Sequence, residues 1–272
     1  MKRTISAHLQ MEALAPARLV LSIAVAADPV DADDVVGIDP VEVLTVVQGG
    51  AAVPVREITD EHGTRLHLVE VAAGPVDVEY RADLVGRAHP RTAEDIDLVR
   101  YLRPSRYCES DSLGPTAHAE FAGLEGTDLL NGVSSWVGQQ LSYVPGSSLP
   151  TDGAVRTLLA RRGVCRDYAH LVVALLRARD VPARLVSVYA PGLAPMDFHA
   201  VAGAFVDNAW QVVDATRLAP RQSLVRIATG RDAADTAFLT TIGGGVLLRS
   251  LTVSAVADEL PGDDLRQLVR LG

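Results

Sequence analysis

The sequence is poor in cysteine, which stabilises small secreted domains, and in lysine. Its 272 residues include two cysteines, Cys108 and Cys165, whose spacing fits neither a CxxC motif nor a cysteine–histidine zinc site. Lys2 is the single lysine, and the formal net charge of −9 argues against nucleic acid or an anionic membrane as the main partner. No apolar run is long enough to span a bilayer as a helix. We therefore expect no metal, no cofactor, and neither a nucleic-acid nor a membrane partner.

Apolar residues are abundant, at 48% of the chain, which is enough to build one large domain or two smaller ones. Short segments that alternate apolar and polar residues predict strands over residues 4–11, 17–26, 40–48, 53–59, 64–71 and 76–84. Turn residues separate these segments, and an acidic turn covers residues 31–39. The pattern predicts an antiparallel β-sandwich-like domain over residues 1–95.

A mixed-charge segment, residues 86–104, is typical of a linker into a second domain, residues 96–272. Helical spacing of apolar residues dominates the first half of this second domain. Its later part predicts a long arginine-bearing loop over residues 217–232, a strand over 246–256 and a short terminal helix over 263–271.

Cys165 lies between two helical patterns. Residues 152–162 predict a short helix that Gly163 ends, and a second helix runs from Cys165 to about residue 180. A cysteine in the first turn of a helix faces unpaired backbone N–H groups and the positive end of the helix dipole, which stabilise a thiolate. A small buried cysteine that only packs explains this segment equally well by itself.

His199 and Asp214 fall on one face of a predicted hairpin. Residues 198–206 and 209–214 read as strands joined by Asp207-Asn208, a signal for a two-residue turn. With that turn His199 and Asp214 become diagonal neighbours, which long side chains can bridge. A carboxylate that orients an imidazole, near a thiol at a helix start, is the arrangement of a covalent acyl-transfer site. The alternative is an exposed hairpin whose histidine and aspartate are unrelated.

Four motifs in order, GVCRDYAHL, PARLVSVYAPG, DFHA and WQVVDAT, resemble the transglutaminase-like superfamily, and in particular its bacterial members. The resemblance covers roughly residues 112–216. It implies a papain-like core, with helices packed on an antiparallel sheet, and a Cys165–His199–Asp214 catalytic triad. It also implies that the segment before the catalytic helix helps to form the oxyanion site, where Tyr143 would donate a hydrogen bond. A packed tyrosine is the alternative for Tyr143.

These patterns together predict an α+β protein in which a β-sandwich-like domain precedes a transglutaminase-like core. The predicted function is thiol-dependent acyl transfer on the amide or peptide bonds of a peptide or protein substrate. Hydrolysis is favoured over cross-linking, because nothing in the sequence marks a dedicated amine site. Glutamyl cross-linking and a non-catalytic peptide-binding module remain open as alternatives. Because a disulfide would consume the proposed nucleophile, we expect two free thiols and a cytoplasmic location; the sequence does not determine the oligomeric state.

Overall fold

A computed structural model describes residues 1–27, 40–87, 90, 92–265 and 267–271 of the chain, so the predicted acidic turn at residues 31–39 lies outside the described residues. The strands are β1 (Lys2–Ala13), β2 (Ala17–Leu21), β3 (Val41–Gln48), β4 (Ala51–Ala52), β5 (Arg56–Thr59), β6 (Arg65–Val71), β7 (Gly74–Val85), β8 (Ser142–Tyr143), β9 (Arg162–Gly163), β10 (Ala183–Tyr189), β11 (Phe198–Val206), β12 (Ala209–Val213), β13 (Val225–Gly230), β14 (Leu239–Gly243) and β15 (Val246–Ala257). The α-helices are α1 (Asp95–Arg100), α2 (Ser110–Glu120), α3 (Gly126–Gln140), α4 (Ala154–Ala160), α5 (Cys165–Arg177) and α6 (Ala233–Thr236). None of the described helices is long and apolar enough to cross a membrane.

Two antiparallel sheets pack against each other as a β-sandwich. One sheet has the strand order β15-β1-β7-β3-β4, and the other has the order β14-β2-β6-β5. In β1 the pleat points Ile5, Ala7, Leu9 and Met11 into the core, while the residues that alternate with them face outward. Apolar side chains of both sheets meet in one buried cluster. The predicted sandwich is therefore present.

The strands that complete the sandwich come from the end of the chain. β15 pairs with β1 from Arg3↔Ala257 to Ala13↔Val246, and β14 pairs with β2. The predicted second domain, residues 96–272, included both strands, but their hydrogen bonds place residues 239–257 in the sandwich sheets. A sequence pattern identifies a strand but not the distant strand with which it pairs. A division of the chain near residue 95 into separately folding units stays a prediction.

A third antiparallel sheet, of order β12-β11-β10-β13, packs against α5. All residues of α5 from Asp167 to Arg177 are buried, because α2, α3 and α4 also pack against this helix. Because α5 is buried on all sides, apolar residues are frequent along its sequence. Helices packed on an antiparallel sheet, beside a β-sandwich, confirm the predicted α+β fold class.

Two predictions for the last third of the chain are wrong. Residues 217–232 were predicted as a loop, yet they contain β13, whose 6 residues are all buried and which pairs with β10. The polar residues Arg226 and Thr229 interrupt the apolar run that marks a buried strand, although both are buried here. The predicted helix over residues 263–271 is not seen, since the described residues in that range form no helix.

The sandwich and the third sheet share a core. The ring of Tyr189, on β10, stacks with that of Tyr80, on β7, with 6.4 Å between the ring centroids. The Tyr189 hydroxyl donates a buried hydrogen bond of 2.7 Å to the backbone carbonyl of Ile23. Val225 and Ile227 of β13 belong to the same apolar cluster as the sandwich residues. This continuous core keeps the sandwich in place beside the third sheet.

We expect Tyr189→Phe to lower the free energy of unfolding by about 1–3 kcal/mol, because the carbonyl of Ile23 would remain buried without its donor. Urea unfolding measures this change. Tyr107→Phe is the matched control, since no hydrogen bond to the Tyr107 hydroxyl is found among the described residues and its loss should have little effect. Equal stability of the two variants would show that the hydrogen bond from Tyr189 to Ile23 does not stabilise the fold.

Candidate active site

The hairpin of β11 and β12 has the predicted register. Val206 pairs with Ala209, and Ala202 pairs with Val213. The two turn residues, Asp207-Asn208, have positive φ angles of 53° and 57°, as the two-residue turn requires. Asp214 follows directly after β12, so the hairpin brings it to the side chain of His199 near the start of β11.

His199 and Asp214 form a buried pair. The distance from His199 Nε2 to Asp214 Oδ2 is 2.9 Å, and the two residues are 1% and 5% exposed. The other carboxylate oxygen, Oδ1, accepts hydrogen bonds from the backbone N–H (2.9 Å) and the hydroxyl (2.7 Å) of Thr216. Thr216 therefore fixes the carboxylate so that Oδ2 is directed at the imidazole. The sequence motifs alone do not reveal this role, because it depends on where the chain turns after β12.

Opposing effects set the protonation of this pair. Burial favours the neutral forms, but the hydrogen bond to Asp214 and the neighbouring Cys165 outweigh it and raise the pKa of His199 to about 10. Burial also opposes ionisation of Asp214, yet the bonds from His199 and Thr216 hold the pKa of Asp214 below its usual value. The stability contributed by protonated His199 is therefore complete below about pH 6.5 and is lost as pH rises towards about 10.

Cys165 is the first residue of α5, as predicted, and a buried carboxylate holds the start of this helix. Asp167 is 0% exposed and accepts hydrogen bonds from the backbone N–H of Val164 (2.8 Å) and from the hydroxyl of Ser148 (2.9 Å). Gly163 is needed here because a Cβ atom on it would lie 2.7 Å from the Cβ atom of Asp167. The helix pattern predicted Gly163 at the end of α4. That helix instead ends at Ala160 and is followed by Arg161, which has a φ of 56°.

The two cysteines are in contrasting surroundings, and both are free thiols. Cys165 is partly exposed, and its Sγ atom lies 4.0 Å from the carbonyl oxygen of Phe198. His199 is close enough for Cys165 to raise the pKa of its imidazole, and the remaining ring nitrogen, Nδ1, has no hydrogen-bond partner among the described residues. Cys108 is fully buried, and burial raises its thiol pKa well above the usual value. The structure thus brings together Cys165, His199 and Asp214.

Tyr143 lies next to Cys165. It belongs to β8, a two-residue strand that pairs in parallel with β9, immediately before the start of α5. Burial raises the pKa of Tyr143 to about 12; the Cys165 thiol adds to the rise, whereas the backbone N–H of Cys165 opposes it. The hydroxyl of Tyr143 and this backbone N–H are therefore neighbours. A tyrosine hydroxyl and a backbone N–H are donors of the kind that bind a substrate oxygen in an acyl-transfer site.

A cleft of about 500 Å³ opens beside these residues. Cys165 and His199 line it, together with Tyr107 and Arg166. The sandwich side supplies part of its wall through Ser22, Phe238, Thr240 and Leu251. Among the described residues, no group of three or more histidine, cysteine, aspartate or glutamate side chains is arranged to hold a metal ion. The sequence gives no signal for these sandwich residues, because they line the cleft only through packing between distant segments.

Comparisons with known proteins show which folds this chain resembles. The family model of the transglutaminase-like superfamily matches residues 123–215, from the segment before α3 to the residue after Asp214. The chain contains a transglutaminase-like domain. The crystal structure of a "Putative Cysteine Protease" from Cytophaga hutchinsonii is similar to the whole fold, with a TM-score of 0.84 and 29% sequence identity. That likeness covers 96% of this chain and 92% of the other, so it includes the sandwich as well as the transglutaminase-like domain.

Curated mycobacterial proteins match a shorter part of the chain. An uncharacterized protein of Mycobacterium leprae is 29% identical over 121 residues, which are 40% of this chain and 42% of the relative. An uncharacterized protein of Mycobacterium tuberculosis is 34% identical over 86 residues, which are 32% of this chain and 27% of the relative. The chain thus spans less than half the length of either curated relative.

We expect Asp214→Asn to move the titration of the His199 imidazole from about pH 10 to lower pH, because burial would then outweigh the remaining favourable contacts. NMR titration of ¹⁵N-histidine-labelled protein measures the change. Asp207→Asn, at the exposed turn of the same hairpin, is the matched control and should leave the titration unchanged. A His199 titration that is the same in Asp214→Asn and wild type would show that Asp214 does not hold the imidazolium.

Proposed function

We propose that the transglutaminase-like domain hydrolyses amide or peptide bonds through a Cys165–His199–Asp214 triad. The observation that carries this proposal is the buried 2.9 Å contact between His199 and Asp214, with Cys165 beside the imidazole at the first residue of α5. A thiol at a helix start, a base next to it and a carboxylate that orients the base are the parts of a covalent acyl-transfer site.

In the first half-reaction His199 holds the proton of the Cys165–His199 pair, because its pKa is raised to about 10, and the Cys165 sulfur attacks the carbonyl carbon of the amide. The carbonyl oxygen becomes an oxyanion, which the backbone N–H of Cys165 and the hydroxyl of Tyr143 stabilise. The carbon–nitrogen bond then breaks, and the imidazolium of His199 gives its proton to the departing amine. The product of this step is a thioester on Cys165.

In the second half-reaction water attacks the thioester, and His199 accepts a proton from that water. Collapse of the intermediate releases a carboxylic acid and restores the Cys165–His199 pair with the proton on His199. Asp214 stays ionised throughout, because its hydrogen bonds hold its pKa low, and it keeps the imidazole in one orientation. If a primary amine replaced water in this step, the product would be a new amide and the reaction would be a cross-link.

Hydrolysis is the reading we favour over cross-linking. The likeness over 96% of the chain to the "Putative Cysteine Protease" supports it, and nothing in the sequence marks a dedicated amine site. The peptide or protein substrate and the cytoplasmic location stay predictions. A non-catalytic module would use the same cleft to bind a peptide without forming a thioester, and cysteine reactivity separates that alternative from an enzyme.

We expect Cys165 to react with iodoacetamide at least tenfold faster than Cys108 at neutral pH, because it is partly exposed and has an imidazole neighbour. Mass spectrometry of tryptic peptides gives both rates in one sample, with Cys108 as the internal control. His199→Gln should slow Cys165 and leave Cys108 unchanged. If Cys165 kept its rate in that variant, His199 would not activate it and a binding module would be the better conclusion.

Turnover is tested with a panel of acyl amides and peptides, with and without a primary amine. Wild type should release the free acid, whereas Cys165→Ala should release none above the uncatalysed rate. A product that carries the added amine in preference to water would replace hydrolysis by cross-linking as the activity.

Tyr143→Phe tests the oxyanion site. We expect kcat to fall by about 10²-fold, the usual cost of removing one oxyanion donor. The rate of Cys165 alkylation should stay within a few-fold of wild type, because alkylation forms no oxyanion. Tyr107→Phe, which alters another tyrosine of the same cleft, is the control. Loss of alkylation in parallel with turnover would mean that Tyr143 positions the thiol instead of binding the substrate oxygen.

A further inference from the structure

The cleft next to Cys165 has one carboxylate among its described lining residues, Asp197. Asp197 lies directly before β11, two residues ahead of His199. Its Oδ1 atom accepts a hydrogen bond of 2.7 Å from the backbone N–H of Phe198. Among the described residues, no arginine, lysine or histidine lies within the 4.0 Å that defines an ion pair with Asp197. Within the described part of the chain, its negative charge is therefore left without an ion-pair contact.

The other charged groups of the cleft are already engaged. The guanidinium of Arg166 bonds to the hydroxyl of Ser148, the carbonyl of Leu149 and the carboxylate of Asp167. The imidazole of His199 is bonded to Asp214. A substrate that enters the cleft thus meets one uncompensated charge, and that charge is negative.

Asp197 also acts on the groups around Cys165. Asp197 is exposed to solvent, yet the protein atoms packed around it raise its pKa, while the N–H of Phe198 and the nearby His199 oppose the rise; its carboxylate is therefore close to the imidazole. The charge of Asp197 contributes to the raised pKa of Tyr143 on the other side of Cys165. Its field therefore reaches the position that a scissile amide would occupy.

The walls next to Asp197 are apolar. The rings of Phe198 and Phe238 stack with 5.2 Å between their centroids, and Leu185 and Ile227 line the same space. Apolar walls exclude water and lower the local dielectric constant, which strengthens attraction between Asp197 and an opposite charge. The site combines an apolar surface with one negative group at the reacting centre.

We propose that Asp197 determines substrate specificity by selecting a positive charge, an ammonium or a guanidinium, close to the scissile amide. This inference rests on the proposed function. The cation can belong to a side chain of the acyl portion, to a free α-amino group or to the amine that leaves or attacks. All three sources present the same chemistry to Asp197, and they differ in where the charge lies relative to the amide.

The first experiment measures charge selection without requiring turnover. Cys165 is modified with methanethiosulfonates that carry a cationic, a neutral or an anionic group. In each reaction the thiolate attacks the sulfenyl sulfur, a new disulfide forms, and methanesulfinate leaves. Rates are divided by those of N-acetylcysteine with the same reagent, so that differences between the reagents themselves cancel. The variants are Asp197→Asn and, as a control, Asp111→Asn.

These variants are closely matched. Asn at position 197 keeps an oxygen that can accept from Phe198 N–H, so the change removes charge and leaves the local hydrogen bond. Asp111 likewise accepts a hydrogen bond from the backbone N–H of the next residue, at 3.0 Å, but it lies on α2 and does not line the cleft. Comparing ratios between reagents also removes any general change that loss of a negative charge makes to the reactivity of Cys165.

We expect wild type and Asp111→Asn to favour the cationic over the neutral reagent by roughly three- to tenfold, as one partly exposed charge pair provides. The preference should disappear in Asp197→Asn and weaken as salt concentration rises. Equal rates for all reagents in wild type, or a preference that survives in Asp197→Asn, would overturn the proposal.

The second experiment locates the charge. Peptide amides are compared in pairs, arginine against citrulline on the acyl side, free against acetylated α-amino group, and cationic against neutral leaving or added amine. A preference in one pair that Asp197→Asn removes supports the proposal and identifies the source; no preference in any pair overturns it. If the protein hydrolyses the amides without a charge preference, the proposed function stands and the charge selection fails. If Cys165 is modified charge-selectively but no amide is hydrolysed, the charge selection stands and the proposed function fails.

Discussion

The buried hydrogen bond between His199 and Asp214 is the interaction on which the candidate site depends. It places two ionisable groups in a protein interior, where each would be costly alone and where each stabilises the charged form of the other. Only a strict register between β11 and β12 brings them together, and the two positive φ angles of the Asp207-Asn208 turn set that register. Thr216 then completes the hydrogen bonding of the carboxylate.

A second carboxylate organises the nucleophile. Asp167 is fully buried at the start of α5, and its hydrogen bonds join the backbone before Cys165 to Ser148 in the preceding loop. Arg166 binds the same loop through Ser148 and the carbonyl of Leu149. Because these bonds converge on the first turn of α5, the position of the sulfur is fixed by polar contacts on one side and by the packed helix on the other.

The sandwich is part of the site as well as part of the fold. It supplies Phe238, Thr240 and Leu251 to the cleft, and it shares a core with the third sheet through Tyr189. Removal of the first 85 residues would leave β15 without β1 and β14 without β2. The edges exposed in this way are unpaired backbone, which favours aggregation. The first and last strands of the sandwich therefore pair with each other and together hold the cleft residues in place.

The sequence by itself determined the parts of the protein that depend on neighbours along the chain. The alternation of β1, the helical spacing of α5, the helix-start position of Cys165 and the turn that aligns His199 with Asp214 are all local patterns, and each is present in the structure. Only the tertiary structure decided that residues 239–257 join the sandwich, that β13 is a buried strand and that Asp197 lines the cleft with no ion-pair partner among the described residues. Pairing between distant strands, and the loss of water from a polar side chain, depend on which surfaces meet after folding. The spacing of apolar and polar side chains along the sequence does not show which surfaces will meet.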